Sequence, residues 1–267
     1  MIFDFHTHIF PDKIAEKTVC ILKKNIMDVQ GGEEPTTYTD ATVLSLKKSM
    51  EENNIDYSLV LPIATNTKQS ETINSFAASI NGKDGIFSLG SVHPMQENVE
   101  NEIERIKSLG LKGIKLHPEY QNIYINSPEC INVLKKCSEL NLIVISHTGA
   151  DIGMKPPVKC TPQMLYDALQ RVPDITFVAA HMGGWDMWDD VKKYLLGTSV
   201  YFDTAFSYEF MGQEKFYEFI NAHKNIVFGT DSPWGCQKTD VNDIKNLKLD
   251  SERFNEIMYK NAWDLLS

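Results

Sequence analysis

A (β/α)₈ barrel is the fold class the sequence predicts, and three observations carry the prediction. Short apolar runs alternate with longer amphipathic ones along all 267 residues. Eight such apolar runs can be counted, the number of parallel strands that closes a barrel of this kind. Several of them end on a histidine or aspartate, as expected where the carboxyl ends of strands meet on one rim.

The strand candidates are residues 2–8, 58–63, 86–92, 113–117, 142–147, 175–181, 199–204 and 226–231. Helical stretches lie between them at 39–53, 68–81, 98–109, 127–140, 161–171, 186–196 and 213–222, and a closing helix covers 251–266. Asp40 is placed to cap the first of these helices. Ser127-Pro128-Glu129 and Thr161-Pro162 each put a capping hydroxyl before a proline at the first helical position, and Gly110 is a stop signal after 98–109. An open doubly wound sheet has the same alternation, but no glycine-rich phosphate loop follows any strand. No repeat, low-complexity tract or linker marks a boundary, so residues 1–267 are expected to form a single barrel domain. Residues 11–38 break the rhythm after the first strand, and an excursion of that length is expected over an active site.

Composition narrows the partners. Lys and Arg number 26 against 36 Asp and Glu, a net charge of −10 that disfavours nucleic acid and anionic membrane. No apolar run reaches the ~18 residues of a membrane span, and the amino terminus lacks a secretory pattern. Five cysteines, an odd number without C-x-x-C pairing, read as reduced thiols of a cytoplasmic protein. A small-molecule substrate is the expected partner, with a homo-oligomer left open.

The chemistry begins in MIFDFHTHIF. A strand has a side-chain period of two, so Asp4, His6 and His8 are expected on one face. Two imidazoles so placed can ligate a metal, though a lone His-x-His also occurs as two ordinary histidines. His147 ends LIVISH, His181 ends ITFVAAH and Asp231 ends IVFGTD. In a barrel these far-apart residues converge with His6 and His8, which is hard to assign to chance. Strand 113–117 puts Lys115 and His117 on one face, and a lysine inside a barrel is costly unless paired or modified. Trp234 and Trp185 are candidates for a pocket wall, and so are Tyr120 and Tyr124; aromatics also pack loops. His93 is a weaker rim candidate, while Trp188 follows the sixth strand end. Lys155, Lys159 and His223 are expected to be solvated.

On His6-Thr7-His8, His147, AHMGG around His181, GTDSPW around Asp231 and the closing KNAWDLL, the chain resembles the amidohydrolase superfamily, within it the amidohydrolase-2 branch. The resemblance covers nearly the whole sequence. It implies a metal-dependent enzyme in which His6, His8, His147 and Asp231 bind a divalent ion, with zinc expected. His181 and Asp231 would carry protons beside it, and Lys115, His117 and Trp234 would meet substrate. One ion is favoured. The KLHP segment is also similar to the carboxylated-lysine motif of binuclear members, which leaves two ions open.

The leading expectation is therefore a metal-dependent hydrolase in which activated water attacks a small amide, ester or lactone. A nonoxidative decarboxylase of a small carboxylic acid shares the same ligands. A TatD-type DNase also opens with His-x-His, but it carries a glutamate on strand four where this chain has Lys115, and the acidic balance opposes a polyanion. A binding protein that lost catalysis would lack one of the main polar positions, and none is missing.

Overall fold

The computed structural model describes all 267 residues, Met1–Ser267. Its strands are β1 (Phe3–Thr7), β2 (Tyr57–Val60), β3 (Ile86–Ser88), β4 (Gly90–Ser91), β5 (Gly113–Leu116), β6 (Ile143–Ser146), β7 (Phe177–Ala179), β8 (Tyr201–Asp203) and β9 (Ile226–Val227). All neighbours are parallel, in the order β1-β2-β3 and β4-β5-β6-β7-β8-β9. Leu89 joins the two sets: β3 and β4 flank it, and its N–H donates to the Val60 carbonyl at 3.0 Å. The expected third strand is thus one stave in two short pieces. Closure comes beyond β9, where Phe5 N–H reaches Phe228 O and Asp231 N–H reaches His6 O, each at 2.8 Å. The result is a (β/α)₈ barrel.

The helices follow from periodicity and caps. Ser127 and Thr161 accept the N–H groups of Cys130 and Met164, as their Ser-Pro and Thr-Pro signals predict. At the helix Val43–Asn53 the cap is Thr42, in a reciprocal capping box with Ser45. Asp40 instead accepts from Thr42 N and Oγ1, two residues before the cap. The 11–38 excursion contains a 19-residue helix, Asp12–Gln30. A helix at Gln237–Asn246, absent from the sequence expectations, follows the last stave; so polar a segment buries only Gln237, Val241 and Ile244. No helix is long and apolar enough to cross a membrane.

Two apolar layers hold the barrel. The larger lies between staves and helices and includes Val60, Ile114, Val144, Phe177, Phe202 and Ile226. The smaller fills the barrel below its rim: Phe3, Phe5, Leu59, Leu61, Leu89, Ile143, Ile145, Val178 and Val227. Strand parity runs this inner layer upward into polar residues, from Ile143 and Ile145 to His147, and from Val227 through Gly229 to Asp231. The first stave departs from parity, because its register slips between Asp4 and Thr7. Phe3 and Phe5 keep the interior, and Asp4 leaves the histidine face. Its carboxylate accepts from Thr230 N and Oγ1 and from Gln237 Nε2 instead. Full burial pushes the Asp4 carboxyl up to about 7.

Candidate metal centre and active site

Five histidines meet at the carboxyl rim, and for four of them the outer hydrogen bonds decide which ring nitrogens remain free. His6 Nδ1 lies 2.8 Å from Asp203 Oδ2, and His8 Nδ1 lies 2.7 Å from the Leu61 carbonyl. His181 Nδ1 is 3.0 Å from Ala205 O, and His147 Nε2 is 3.0 Å from Ala150 O. Carbonyl and carboxylate oxygens only accept, so each of these nitrogens carries the proton. In the neutral forms of these rings the opposite nitrogens are then bare. They face one another, His6 Nε2 to His8 Nε2 at 3.1 Å and His147 Nδ1 to His181 Nε2 at 3.0 Å. Asp231 Oδ1 stands 3.2 Å from His8 Nε2 and 3.6 Å from His6 Nε2. Lone pairs set this close repel unless a cation or proton lies among them. Three or four imidazoles and a carboxylate, each ring anchored from behind, fit a divalent metal ion.

Backbone shape brings these groups together. His181 and Asp231 both have left-handed backbone, φ 61° and 63°, which turns them off their strands into the rim. Gly229 is required beside His6, since a Cβ there would lie 2.8 Å from the His6 Cβ. Gly149, at φ +90°, lets the loop after β6 pack against Trp185, whose backbone N and O would each lie 2.3 Å from an added Cβ.

Burial sets the charges. It is the main cause that pushes His6, His117 and His147 well below the usual histidine range, with Lys115 and neighbouring imidazoles adding to it. They are thus neutral and able to ligate. Burial alone would raise the Asp231 carboxyl, but a proton shared with the adjoining His6 and His8 outweighs it and holds Asp231 below the carboxylate range. Lys115 is 1% exposed. Burial lowers its amine to about 8 against the pull of Asp203, Asp231 and Asp151, and Nζ sits 3.3 Å from His6 Nε2. These groups floor a cavity of about 160 Å³ walled by Phe10, Leu22, Ile26, Leu61, Ile63, Tyr120, Trp185, Phe206 and Trp234. Thr18, Leu22 and Ile26 come from the helix Asp12–Gln30.

Comparison with known proteins decides the family. The family model described as Amidohydrolase matches residues 3–267. The chain belongs to the amidohydrolase family. It is accordingly a metal-dependent enzyme, of a family whose reactions are hydrolysis and decarboxylation. Among curated proteins none matches it. Solved structures share the fold at low identity. An uncharacterized TIM-barrel protein from Bordetella bronchiseptica is 18% identical, with a TM-score of 0.77 over 99% of this chain and 98% of that one. 5-Carboxyvanillate decarboxylase from Sphingomonas paucimobilis is 15% identical, with a TM-score of 0.73 over 99% and 98%. A probable 2-pyrone-4,6-dicarboxylic acid hydrolase from Acinetobacter baumannii is 16% identical, with a TM-score of 0.68 over 99% and 98%.

In this amidohydrolase His6, His8, Lys115, His117, His147, His181, Asp231 and Trp234 all line the one cavity, and Trp185 and Tyr120 join them. By distance, His181 groups with His6 and Asp231, within 4.8 Å, while His147 groups with His117 and Asp151. His117 stacks on His147 at 4.4 Å and lies 3.3 Å from Asp151 through Nε2. Trp188 is not in the wall: its indole N–H donates to His181 O at 3.1 Å. Tyr124 lies outside as well, under the ammonium of Lys159. His93 is tied to the Gln121 carbonyl and takes no part in the cavity. His223 is buried rather than solvated, stacked on Phe202 at 3.9 Å with Nε2 donating to Val200 O. Asp203 and Asp151 are the site residues that sequence reasoning misses. Asp203 carries the same signal as Asp231, an acid closing an apolar run; Asp151 sits inside a loop and carries none.

Proposed function

We propose that one divalent ion, zinc by preference, is held by His6, His8, His147 and Asp231, with His181 beside it as the proton carrier. The observation that supports this is the set of four bare imidazole nitrogens gathered at the rim that Asp231 completes. The division between His147 as ligand and His181 as proton carrier rests on the family resemblance, since distance alone groups His181 with His6 and Asp231. Three imidazoles and a carboxylate suit zinc; manganese is the alternative, named as bound in a 5-carboxyvanillate decarboxylase from Novosphingobium aromaticivorans. Elemental analysis of purified protein distinguishes them.

The reaction we propose is hydrolysis of a small ester, lactone or amide that also bears a carboxylate. Lys115 is the one Lys or Arg side chain lining the cavity, at its polar floor, and the walls above it are largely apolar and aromatic. Together they suit an anionic group on a flat, apolar body. A bound divalent ion supplies charge stabilisation to a reacting oxygen and lowers the pKa of water. Asp231 would accept a proton from the attacking water and pass it to the bare Nε2 of His181, which would deliver it to the leaving group. Phe10 and the helix Asp12–Gln30 exclude solvent from above, and His117 and Trp234 position the substrate.

Decarboxylation is the second reading, favoured by the apolar walls and by the named activities of structural neighbours. There the carbon–carboxylate bond breaks, its electron pair stays on the substrate carbon, and that carbon takes a proton that solvent has supplied to His181 Nε2. Incubation with ring-bearing lactones and carboxylic acids in ¹⁸O-water tests the choice. Label in the organic product supports hydrolysis; release of CO₂ with no label in the organic product overturns it in favour of decarboxylation.

A further inference from the structure

We infer that Asp203 is the positioning residue of this centre: one carboxylate sets the ring tautomer of His6 and the backbone placement of His181. The inference rests on the reading that His6 Nε2 faces a metal ion. Asp203 ends β8, is fully buried, and spends both oxygens on the site. Oδ2 accepts from His6 Nδ1–H at 2.8 Å, while Oδ1 accepts from His181 N–H at 2.8 Å and Ala205 N–H at 3.2 Å. The Asp203 carbonyl takes Met182 N–H at 2.7 Å, and Ala205 O takes the ring N–H of His181 at 3.0 Å. The end of β8 therefore grips His181 at its ring, at its own amide and at the amide after it.

This grip has a purpose in the backbone. His181 and Met182 are consecutive left-handed residues, φ 61° and 53°, a conformation that persists only where surroundings over-determine it. The hydrogen bond to His6 has a purpose in the ring. An imidazole whose Nδ1–H is held by a carboxylate must present a bare Nε2, and the carboxylate also makes that nitrogen a stronger ligand. Asparagine is no substitute. Its single acceptor oxygen can serve His6 or the His181 amide, and its NH₂ must then oppose the other N–H. Turned toward His6, that NH₂ would move the ring proton to Nε2 and block the ligand position.

The test uses the full chain with Zn²⁺ alone as probe, titrated against a competing chelator. Asp203→Asn and Asp203→Ala are expected to bind Zn²⁺ about 10- to 100-fold more weakly than wild type, the range for loss of an outer partner of a ligating histidine. ¹⁵N spectra of metal-free wild type should show His6 protonated at Nδ1, its signals assigned by their loss in His6→Gln, and Asp203→Ala, which removes the acceptor, should let that proton shift toward Nε2. Affinity within twofold of wild type in both variants would overturn the inference, as would a wild-type His6 protonated at Nε2. Should the variants not fold, the wild-type spectrum decides alone. Should wild type take up no Zn²⁺, the metal reading fails, and the His6 tautomer still decides the role of Asp203.

Discussion

The two ends of the barrel are built from the same staves and solve opposite problems. At the amino-terminal end Phe3, Tyr57 and Phe87 surround Trp263 of the closing helix, with ring centroids 5.4 to 6.4 Å apart. Tyr259, Leu265 and Leu266 complete the cover. That end is apolar packing, non-directional and tolerant of detail. At the carboxyl end the same inner positions become His147, Lys115, Asp203 and Asp231, each bound by specific partners at 2.8 to 3.6 Å. A buried charge or bare nitrogen there costs stability, and the cost is retained because that is where a reaction can be run. Stability and chemistry are thus segregated along the barrel axis.

The sharpest way to break that contrast is a pair of variants. His6→Ala at the rim should weaken metal binding at least about 100-fold while the metal-free fold melts close to wild type. Phe3→Ala at the other end, a fully buried ring, should cost about 3–5 kcal/mol of stability and leave the metal stoichiometry unchanged. Metal analysis and denaturant melts of both variants check the pair. Comparable loss of fold in both would mean the ends are not segregated.

Lys115→Met should stabilise the metal-free protein. The native amine sits near 8 rather than 10.5, so the unfolded state binds more protons between those values. The penalty for the charged form is complete below pH 8 and is relieved as pH rises to 10.5. The gain should be roughly 3 kcal/mol at pH 7, since each tenfold loss of proton affinity corresponds to ~1.4 kcal/mol, and should fade toward pH 10.5. His6 and His147, held neutral in the fold, make the opposite end of the curve fall: metal-free stability should drop as pH decreases below about 6.5. Melts across pH check both limbs.

His181→Asn should lower turnover by about 10², the range for removing a proton carrier, while metal content stays at wild-type level. If metal is lost in proportion to activity, His181 is a ligand. The smallest effect lies away from both ends: Thr42→Ala should cost about 1 kcal/mol by removing a helix cap, with metal binding and turnover unaffected.

How much of the molecule is legible in its sequence differs between the ends in the same way. The eight staves are legible because burial on both faces demands apolar runs, and the polar residue closing each run marks His147, His181 and Asp231. Lys115 and His117 follow from parity. What stays hidden depends on backbone irregularity, which leaves no compositional trace. The slip in β1 turns Asp4 away from His6, and left-handed φ at His181 and Asp231 re-aims both side chains. Asp151 reaches the cavity from a loop whose path nothing local encodes. His223 at a helix end has the sequence context of a solvated residue, yet Phe202 and the Val200 carbonyl draw it inside. The turn of π-helix at Glu256–Lys260 likewise has no signal.

The proposed chemistry stands on a divalent ion among the rim histidines, and diffraction at the metal absorption edge tests it most directly. Crystals of protein purified without chelator, or soaked in Zn²⁺, should show one anomalous peak per chain, bounded by His6, His8, His147 and Asp231. No peak at the rim after soaking, or a peak elsewhere in the molecule, would contradict it.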